Sequence, residues 1–383
     1  MPGPGAGGPG LPGGSAPLLL HVFPTFAVGG AQVRFAALAN LWGGRFRHAV
    51  VALDGRTDCL ERLSPGAPVA VLPSPVTAGQ GPGRFLAIRR FLSDLAPALL
   101  VTSNWGAIEW AAANLLPPRL PHLHTEDGFG PDEAHGQMPR RVWFRRLVLR
   151  GSTLALPSLT LRRIAEESWR LPPARLHYIA NGLDLSRFAA AGPLPALAIP
   201  GEGPVIGTVA RLRAEKNLGR LIEACARLRE RGLAFRLLIV GDGPEEDSLR
   251  RRARALGLAD RTLFAGHHPD PAPLYRAMDV LALSSDTEQM PFSVLEAMAS
   301  SLPVASTEVG DVRAMVAAAN APFVAGRDAA SLAGSLARLL EDEPLRRSLG
   351  AANRAKAEAE YDERVMAERY AALAWRLISG GRS

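Results

Sequence analysis

"DVLALSSDTEQMPFSVLEAMASSLPVASTEVG", residues 279–310, holds an apolar run, a polar loop, an apolar stretch with helical spacing and a second apolar run. That order is strand, loop, helix, strand, the repeating unit of a parallel α/β sheet. Two glutamates, Glu288 and Glu296, stand eight positions apart within it. The first follows polar residues in the loop, and the second lies inside the helical stretch. A carboxylate at each end of one loop-to-helix transition calls for a reason beyond packing.

The same pattern extends in both directions. "APLLLHVFPTF", "RHAVVAL", "APVAVLP", "ALLVTSN" and "RLPHLHTED" read as buried parallel strands, with helices at 31–42 and 83–95. "PVIGTVARL", "FRLLIVGDGP", "TLFAGHH", "DVLALSSD" and "LPVASTEVG" repeat the order, with helices near 218–231, 245–257, 272–278 and 292–300. The fold class is therefore α/β, with two doubly wound, Rossmann-like domains. The spans predicted are 17–187 for the first domain, 188–203 for a Pro-, Gly- and Ala-rich linker, 204–360 for the second domain and 361–383 for a C-terminal helix packing back on the first. In such domains ligands meet the loops at the C-terminal ends of the strands.

Composition bounds the function. The 383 residues are 47% hydrophobic and 21% charged, as in ordinary globular proteins, and long enough for two cores. The two cysteines, Cys59 and Cys225, have no neighbour at metal-ligand spacing, so neither a zinc site nor a disulfide framework is expected. Residues 1–16, nearly all Gly, Pro and Ala, read as a disordered tail without the basic start of a secretory signal. No run is long and apolar enough to span a bilayer, which predicts a cytoplasmic protein. The formal charge of +7 comes mainly from arginine. No helix-turn-helix, zinc-finger or RNP-like pattern accompanies it, so nucleic acid is not expected as a partner.

The loops hold the chemistry. Gly29 and Gly30 stand between a strand and a helix, where bare backbone lets an anion approach the positive helix end. Neither this pair nor Gly241 and Gly243 has dinucleotide-fingerprint spacing. Arg211 lies just beyond a strand and Lys216 follows five residues later at a helix start. A planar fork and a point charge at one loop suit a diphosphate.

Taken together, these segments resemble the retaining glycosyltransferases of family 4, which have the GT-B fold. The carriers are "GGAQ" at 29–32, "HTEDG" at 124–128, "NGLDLSRF" at 181–188, "ARLRAEKN" at 210–217, "VGDGP" at 240–244, "LFAGHH" at 263–268 and "EQMPFSVLEAMA" at 288–299. The resemblance implies that Glu288 faces the donor sugar and that Glu296 binds the ribose hydroxyls. The turn Met290, Pro291, Phe292 and Ser293 would offer backbone amides to sugar and phosphate. Arg211 and Lys216 would neutralise the departing diphosphate. Gly29 and Gly30 would approach the same diphosphate, His124 would contact the donor sugar, and Gly266 and His267 would meet the base. Asn181 and Asp184 read as structural. Gln289 and Met290 stand where many family members have glycine and an aromatic residue, which bears on donor choice.

The resulting expectation is a metal-independent hexosyltransferase, with a nucleotide sugar as co-substrate, no other cofactor, and a leaning to a UDP-sugar. Its acceptor would be a hydroxyl on a sugar or lipid-linked sugar, in surface polysaccharide or glycolipid synthesis. Alternatives are a nucleotide-sugar epimerase or hydrolase on the same fold, or a non-catalytic scaffold that binds nucleotide sugars. "PRRVWFRRLVLRG", 139–151, adds five arginines. At helical spacing Trp143, Phe144, Leu147 and Val148 share an arc, and Arg141, Arg145, Arg146 and Arg150 fall mostly on the other. With the arginines of "RFLAIRRFL", 84–92, this arrangement predicts peripheral docking on an anionic membrane surface.

Overall fold

The computed structural model describes residues 11–76, 83–117, 119–129, 133, 136–188 and 197–380. They fall into two compact units, 1–181 with 363–383, and 182–362.

The first unit is built on β1 (Leu18–Phe23), β2 (Arg47–Ala52), β3 (Val69–Val71), β4 (Leu99–Ser103), β5 (His122–Thr125), β6 (Thr153–Leu156) and β7 (Leu176–Tyr178). All pair in parallel, in the order β3-β2-β1-β4-β5-β6-β7. The central strands are buried along their whole length, as a sheet covered on both faces requires. Helices α1 (Gly30–Trp42), α2 (Gly83–Leu95), α3 (Ile108–Ala113), α4 (Pro139–Val148) and α5 (Leu159–Glu167) connect them. The strand order reverses direction between β1 and β4, so the loops after these strands border the crevice where such sheets take ligands.

The second unit repeats the plan with β8 (Val205–Val209), β9 (Arg236–Val240), β10 (Thr262–Gly266), β11 (Val280–Leu283), β12 (Val304–Thr307) and β13 (Val324–Ala325). The order is β10-β9-β8-β11-β12-β13, again parallel, with its reversal between β8 and β11. Helices α6 (Leu218–Glu230), α7 (Glu246–Ala255), α8 (Ala272–Tyr275), α9 (Phe292–Ala299), α10 (Val312–Met315), α11 (Ala329–Glu341) and α12 (Glu343–Glu360) complete it. The helix α13 (Glu363–Gly380) returns to the first unit, where Trp42 Nε1 donates to Ala367 O at 3.0 Å. None of the described helices is long and apolar enough to cross a membrane.

Three boundaries differ from the sequence reading. The chain passes between units at 181–182 and 362–363; of the predicted linker, 188 and 197–203 belong to the second unit and 189–196 lie outside the described residues. Leu185 and Phe188, buried just before that stretch, already belong to the second core. Within the expected tail, residues 1–10 lie outside the described residues, but two of 11–16 are tied down: Arg47 donates to Ala16 O at 2.8 Å and to Pro12 O at 3.1 Å. Lastly, β6, β7 and β13 extend the sheets beyond the strands legible in the sequence.

Candidate functional site

In the second unit the two strands flanking the reversal, β8 and β11, each release a polar loop from their C-terminal ends. Lys216 lies in the first loop and Glu288 in the second, and Lys216 Nζ meets Glu288 Oε1 at 2.6 Å. Ser285 Oγ donates to the same oxygen at 2.8 Å. Glu288 is about nine-tenths buried at its side chain, with 10% exposed, and Lys216 is 25% exposed. The pair is therefore largely buried but not closed off from solvent. Around it, Arg220 NH2 binds Asp286 Oδ1 at 2.6 Å, and Arg220 NH1 donates to Ser284 O at 2.7 Å. Asn217, in the left-handed conformation at φ 43°, caps α6 through its side chain. This network holds the Lys216 loop against the Glu288 loop.

Glycine enforces the geometry at one further point. Gly310 has φ 50°, and a Cβ there would lie 2.5 Å from the carbonyl oxygens of Glu288 and Gln289. The turn bearing Glu288 is thus supported by backbone that only glycine permits. Asp311 N donates to Gln289 O at 2.9 Å from the same support.

Glu296, on α9, accepts from the buried Tyr275 hydroxyl at 2.6 Å. Burial, then the Glu296 charge and hydrogen bond, push the Tyr275 phenol well above its ordinary range, so it stays a donor. Met290 and Pro291 are buried, while Phe292 and Ser293 are half-buried at the start of α9. Arg211 lies apart from the Lys216–Glu288 contact: its NH1 binds Asp242 Oδ1 at 2.6 Å, with both side chains half exposed. His267 Nδ1 stands 3.8 Å from the same Asp242 oxygen. Gly266, at φ 73° with open space around it, ends β10 beside them. Asp242 and Ser285 were not singled out by the sequence. Their signal was position alone, a polar residue one or two places beyond a buried strand.

In the first unit, Gly29 precedes α1 and Gly30 opens it, and no side chain caps this helix. The first-turn amides of a 13-residue helix are thereby left to other partners. Arg34 on α1 reaches Asp127 in the loop after β5, and its NH1 donates to Asn181 Oδ1 at 3.0 Å.

His124, expected to contact the donor sugar, is fully buried. Its Nδ1 lies 2.8 Å from Thr102 Oγ1 and its Nε2 lies 3.6 Å from Glu126 Oε2. Nε2 has no hydrogen-bond partner among the described residues.

Trp143 and Leu147 on α4 are 61% and 55% exposed, but Arg145, expected on the basic face, is buried. Arg145 Nε donates to Glu126 Oε2 at 3.3 Å, and NH2 donates to Glu133 Oε2 at 3.3 Å. Its guanidinium lies 4.9 Å from the Trp105 ring centre, 5.0 Å from Trp169 and 5.4 Å from Phe129. Arg141 also binds Glu133, at 3.1 Å, and Arg146 donates to Ser168 O at 3.0 Å. Burial opposes ionisation of Glu133, but the hydrogen bonds and charges of Arg145 and Arg141 hold its carboxyl below the ordinary range. Counter-charges from the segment after β5 decide this arrangement, and helical periodicity carries no information about them.

The model for Glycosyltransferase Family 4 matches residues 28–187, and that for Glycosyl transferases group 1 matches 194–356. A GDP-mannose-dependent alpha-mannosyltransferase of Mycobacterium tuberculosis is 31% identical over 278 residues, 68% of this chain and 69% of that protein. A GDP-mannose-dependent monoacylated alpha-(1-6)-phosphatidylinositol monomannoside mannosyltransferase of Corynebacterium glutamicum is 30% identical over 223 residues, 55% of this chain and 58% of that protein. The chain spans about half the length of the first curated relatives it matches, from 43% to 58%. The crystal structure of Anabaena HepE in complex with UDP-glucose superposes with a TM-score of 0.76 at 19% identity, covering 93% of this chain and 99% of that one, and so shares the fold. With both halves matched in order and a relative covered over two thirds of its length, this chain belongs to glycosyltransferase family 4.

Proposed function

We propose that this chain is a retaining glycosyltransferase that moves a hexose from a nucleotide sugar to a hydroxyl acceptor without a metal ion. The Lys216–Glu288 contact at the strand-order reversal of the second unit carries the reading. Glu288, fixed by Ser285 and Lys216, hydrogen-bonds the sugar hydroxyls. Lys216 and Arg211 meet the diphosphate, whose charge grows as the glycosidic bond breaks, and stabilise it where it develops. Met290, Pro291, Phe292 and Ser293 form the turn against the phosphate, and Glu296, held by Tyr275, takes the ribose. Gly266 and His267 border the base. For the first unit we keep the roles the resemblance implies, Gly29 and Gly30 at a diphosphate and His124 at a donor sugar. The departing phosphate oxygen takes the acceptor proton, so no protein nucleophile is required.

The donor in this reading is a UDP-hexose, in keeping with the UDP-glucose bound by a protein of the same fold. A second reading, GDP-mannose, is favoured by the two mannosyltransferases similar to this chain. A thermal-shift panel of UDP-glucose, UDP-N-acetylglucosamine, GDP-mannose and ADP-glucose separates them, because bound donor raises the melting temperature by mass action. No shift with any of the four would remove the donor assignment. Transfer that survives EDTA supports the metal-free route; loss in EDTA restored by Mg²⁺ or Mn²⁺ contradicts it.

The acceptor proposed is a lipid-linked sugar, reached from an anionic cytoplasmic membrane surface. The face that would dock carries Phe85, Leu86, Trp143 and Leu147, all exposed, beside exposed Arg90 and Arg140. Arg84, Phe85, Arg140 and Phe144 line one groove between α2 and α4. An amphipathic face of this kind suits an anionic interface. Cosedimentation with anionic but not neutral liposomes, reduced in Trp143→Ala/Arg140→Glu, is the expected result. Binding to neither at low salt would leave a soluble acceptor.

A further inference from the structure

A line of hydrogen-bonding side chains crosses one face of the first sheet. Ser152 Oγ, just before β6, lies 2.7 Å from His122 Nδ1. His122 Nε2 lies 2.8 Å from Thr102 Oγ1, and Thr102 Oγ1 lies 2.8 Å from His124 Nδ1. Register explains the line. Thr102 on β4 pairs with His124 on β5, and His122 comes two residues earlier on the same face. Every member is buried, with Thr102 and His124 at 0% exposure. Beyond His124, Glu126 continues to Arg145.

The Thr102 hydroxyl has one proton and two imidazole nitrogens beside it. The hydroxyl can donate to only one of the two imidazoles, and an imidazole that does not accept its proton must donate to its oxygen. His122 is neutral, because burial and then the neighbouring His124 pull it down to about 3. It therefore has a single N–H. For a neutral His124, two arrangements of the line remain. In one, Thr102 donates to His124 Nδ1, leaving the proton on Nε2, which faces the Glu126 carboxylate. In the other, His124 donates through Nδ1 and turns a bare lone pair toward that carboxylate. The second sets lone pair against negative charge in a buried place, where such repulsion is weakly screened. The first replaces it with an N–H directed at the acceptor. In that arrangement His122 Nε2 donates to Thr102, and the Ser152 hydroxyl donates to His122 Nδ1.

We infer that Ser152, His122 and Thr102 form a positioning relay that holds His124 as a donor through Nε2. Glu126, itself fixed by Arg145, completes the relay from the other side. The ring is thereby restricted to one tautomer and one orientation, as when a second partner fixes a functional histidine. The outer nitrogen of His124 is then an N–H facing Glu126, and is unsuited to taking a proton. His122 and Thr102 act only through His124. The consequence for catalysis rests on the role given to His124 above.

The test is the histidine ¹⁵N spectrum of the full-length protein at pH 8, without ligand. The His124 signals are identified by their loss in His124→Gln. The wild type is expected to show one neutral tautomer at His124, protonated at Nε2. Thr102→Val, which keeps the shape and removes the hydroxyl, should give a mixture of tautomers. Thr102→Ser should restore the single form. Turnover is followed as release of nucleoside diphosphate from whichever of the four panel donors binds. It should fall about ten- to a hundredfold in Thr102→Val, the range for removing the partner that orients a metal-bound histidine, and recover in Thr102→Ser. If Thr102→Val unfolds the chain, Ser152→Ala removes the far-end donor and should shift the His122 and His124 signals in the same direction. An Nδ1-protonated His124 in the wild type, or an unchanged tautomer in whichever variant folds, overturns the relay. A changed tautomer with unchanged turnover upholds the relay and removes His124 from the transfer reaction.

Discussion

Lys216 Nζ lies 2.6 Å from Glu288 Oε1, joining the loops that follow β8 and β11 across the point where the strand order reverses. The cation assigned to the diphosphate and the carboxylate assigned to the sugar are each other's partner before donor arrives. Bound diphosphate must therefore compete with Glu288 for Lys216. Glu288→Gln should bind UDP or GDP at least as tightly as the wild type while losing turnover. Lys216→Ala should lose about a hundred- to a thousandfold in turnover, as when one preorganised donor is removed. Calorimetric titration of the diphosphate and steady-state rates check both. Weaker diphosphate binding in Glu288→Gln would contradict the competition.

Gly310→Ala should disable the same loop from outside it. The added Cβ would press on the Glu288 and Gln289 carbonyls at 2.5 Å, in a backbone conformation with φ 50°. A strain of about 1–3 kcal/mol is expected, visible as a lower urea midpoint, with turnover falling more steeply than stability. Wild-type rates in this variant would show that the loop position is unimportant.

Arg145→Met should destabilise the first unit by about 3–5 kcal/mol, because it leaves the buried Glu126 without its cation and Glu133 with Arg141 alone. Trp143→Ala, at an exposed site two residues away, should change stability by less than about 0.5 kcal/mol. Urea denaturation of the two variants reads the contrast directly. Equal midpoints would mean that α4 packs by its aromatic arc after all. Substituting Arg145 is for the same reason unsuitable as a test of membrane docking.

Stability should fall as pH drops from about 6.5 toward 4. Burial pulls His48 down to about 4, and burial with the neighbouring His124 pulls His122 down to about 3, against about 6.5 in an unfolded chain. Between these limits the unfolded state binds more protons, so unfolding becomes easier with acid, and the full contribution is present above 6.5. Each histidine adds a slope approaching about 1.4 kcal/mol per pH unit. Urea midpoints at pH 7 and 5 should differ accordingly, and His48→Phe should flatten the dependence. A flat profile in the wild type would mean these histidines titrate freely.

The sequence by itself determined the two-sheet plan. Apolar runs such as "LLLHVF" and "RLLIV" can only be strands buried on both faces, and the turns after them locate Gly29, Lys216 and Glu288 at sheet ends. It did not reveal β6, β7 or β13, which have four, three and two residues. It also placed a linker at 188–203, since a Pro- and Ala-rich stretch looks alike whether it joins domains or loops within one. Tertiary structure alone decided which charges meet. Arg145 is buried because Glu126 and Glu133 arrive from the segment after β5, and His124 is held because strand register sets Thr102 beside it. Hydrophobic patterning is local and repeats along the chain. A hydrogen-bond or ion-pair partner comes from another element, at a separation that only the folded sheet order fixes.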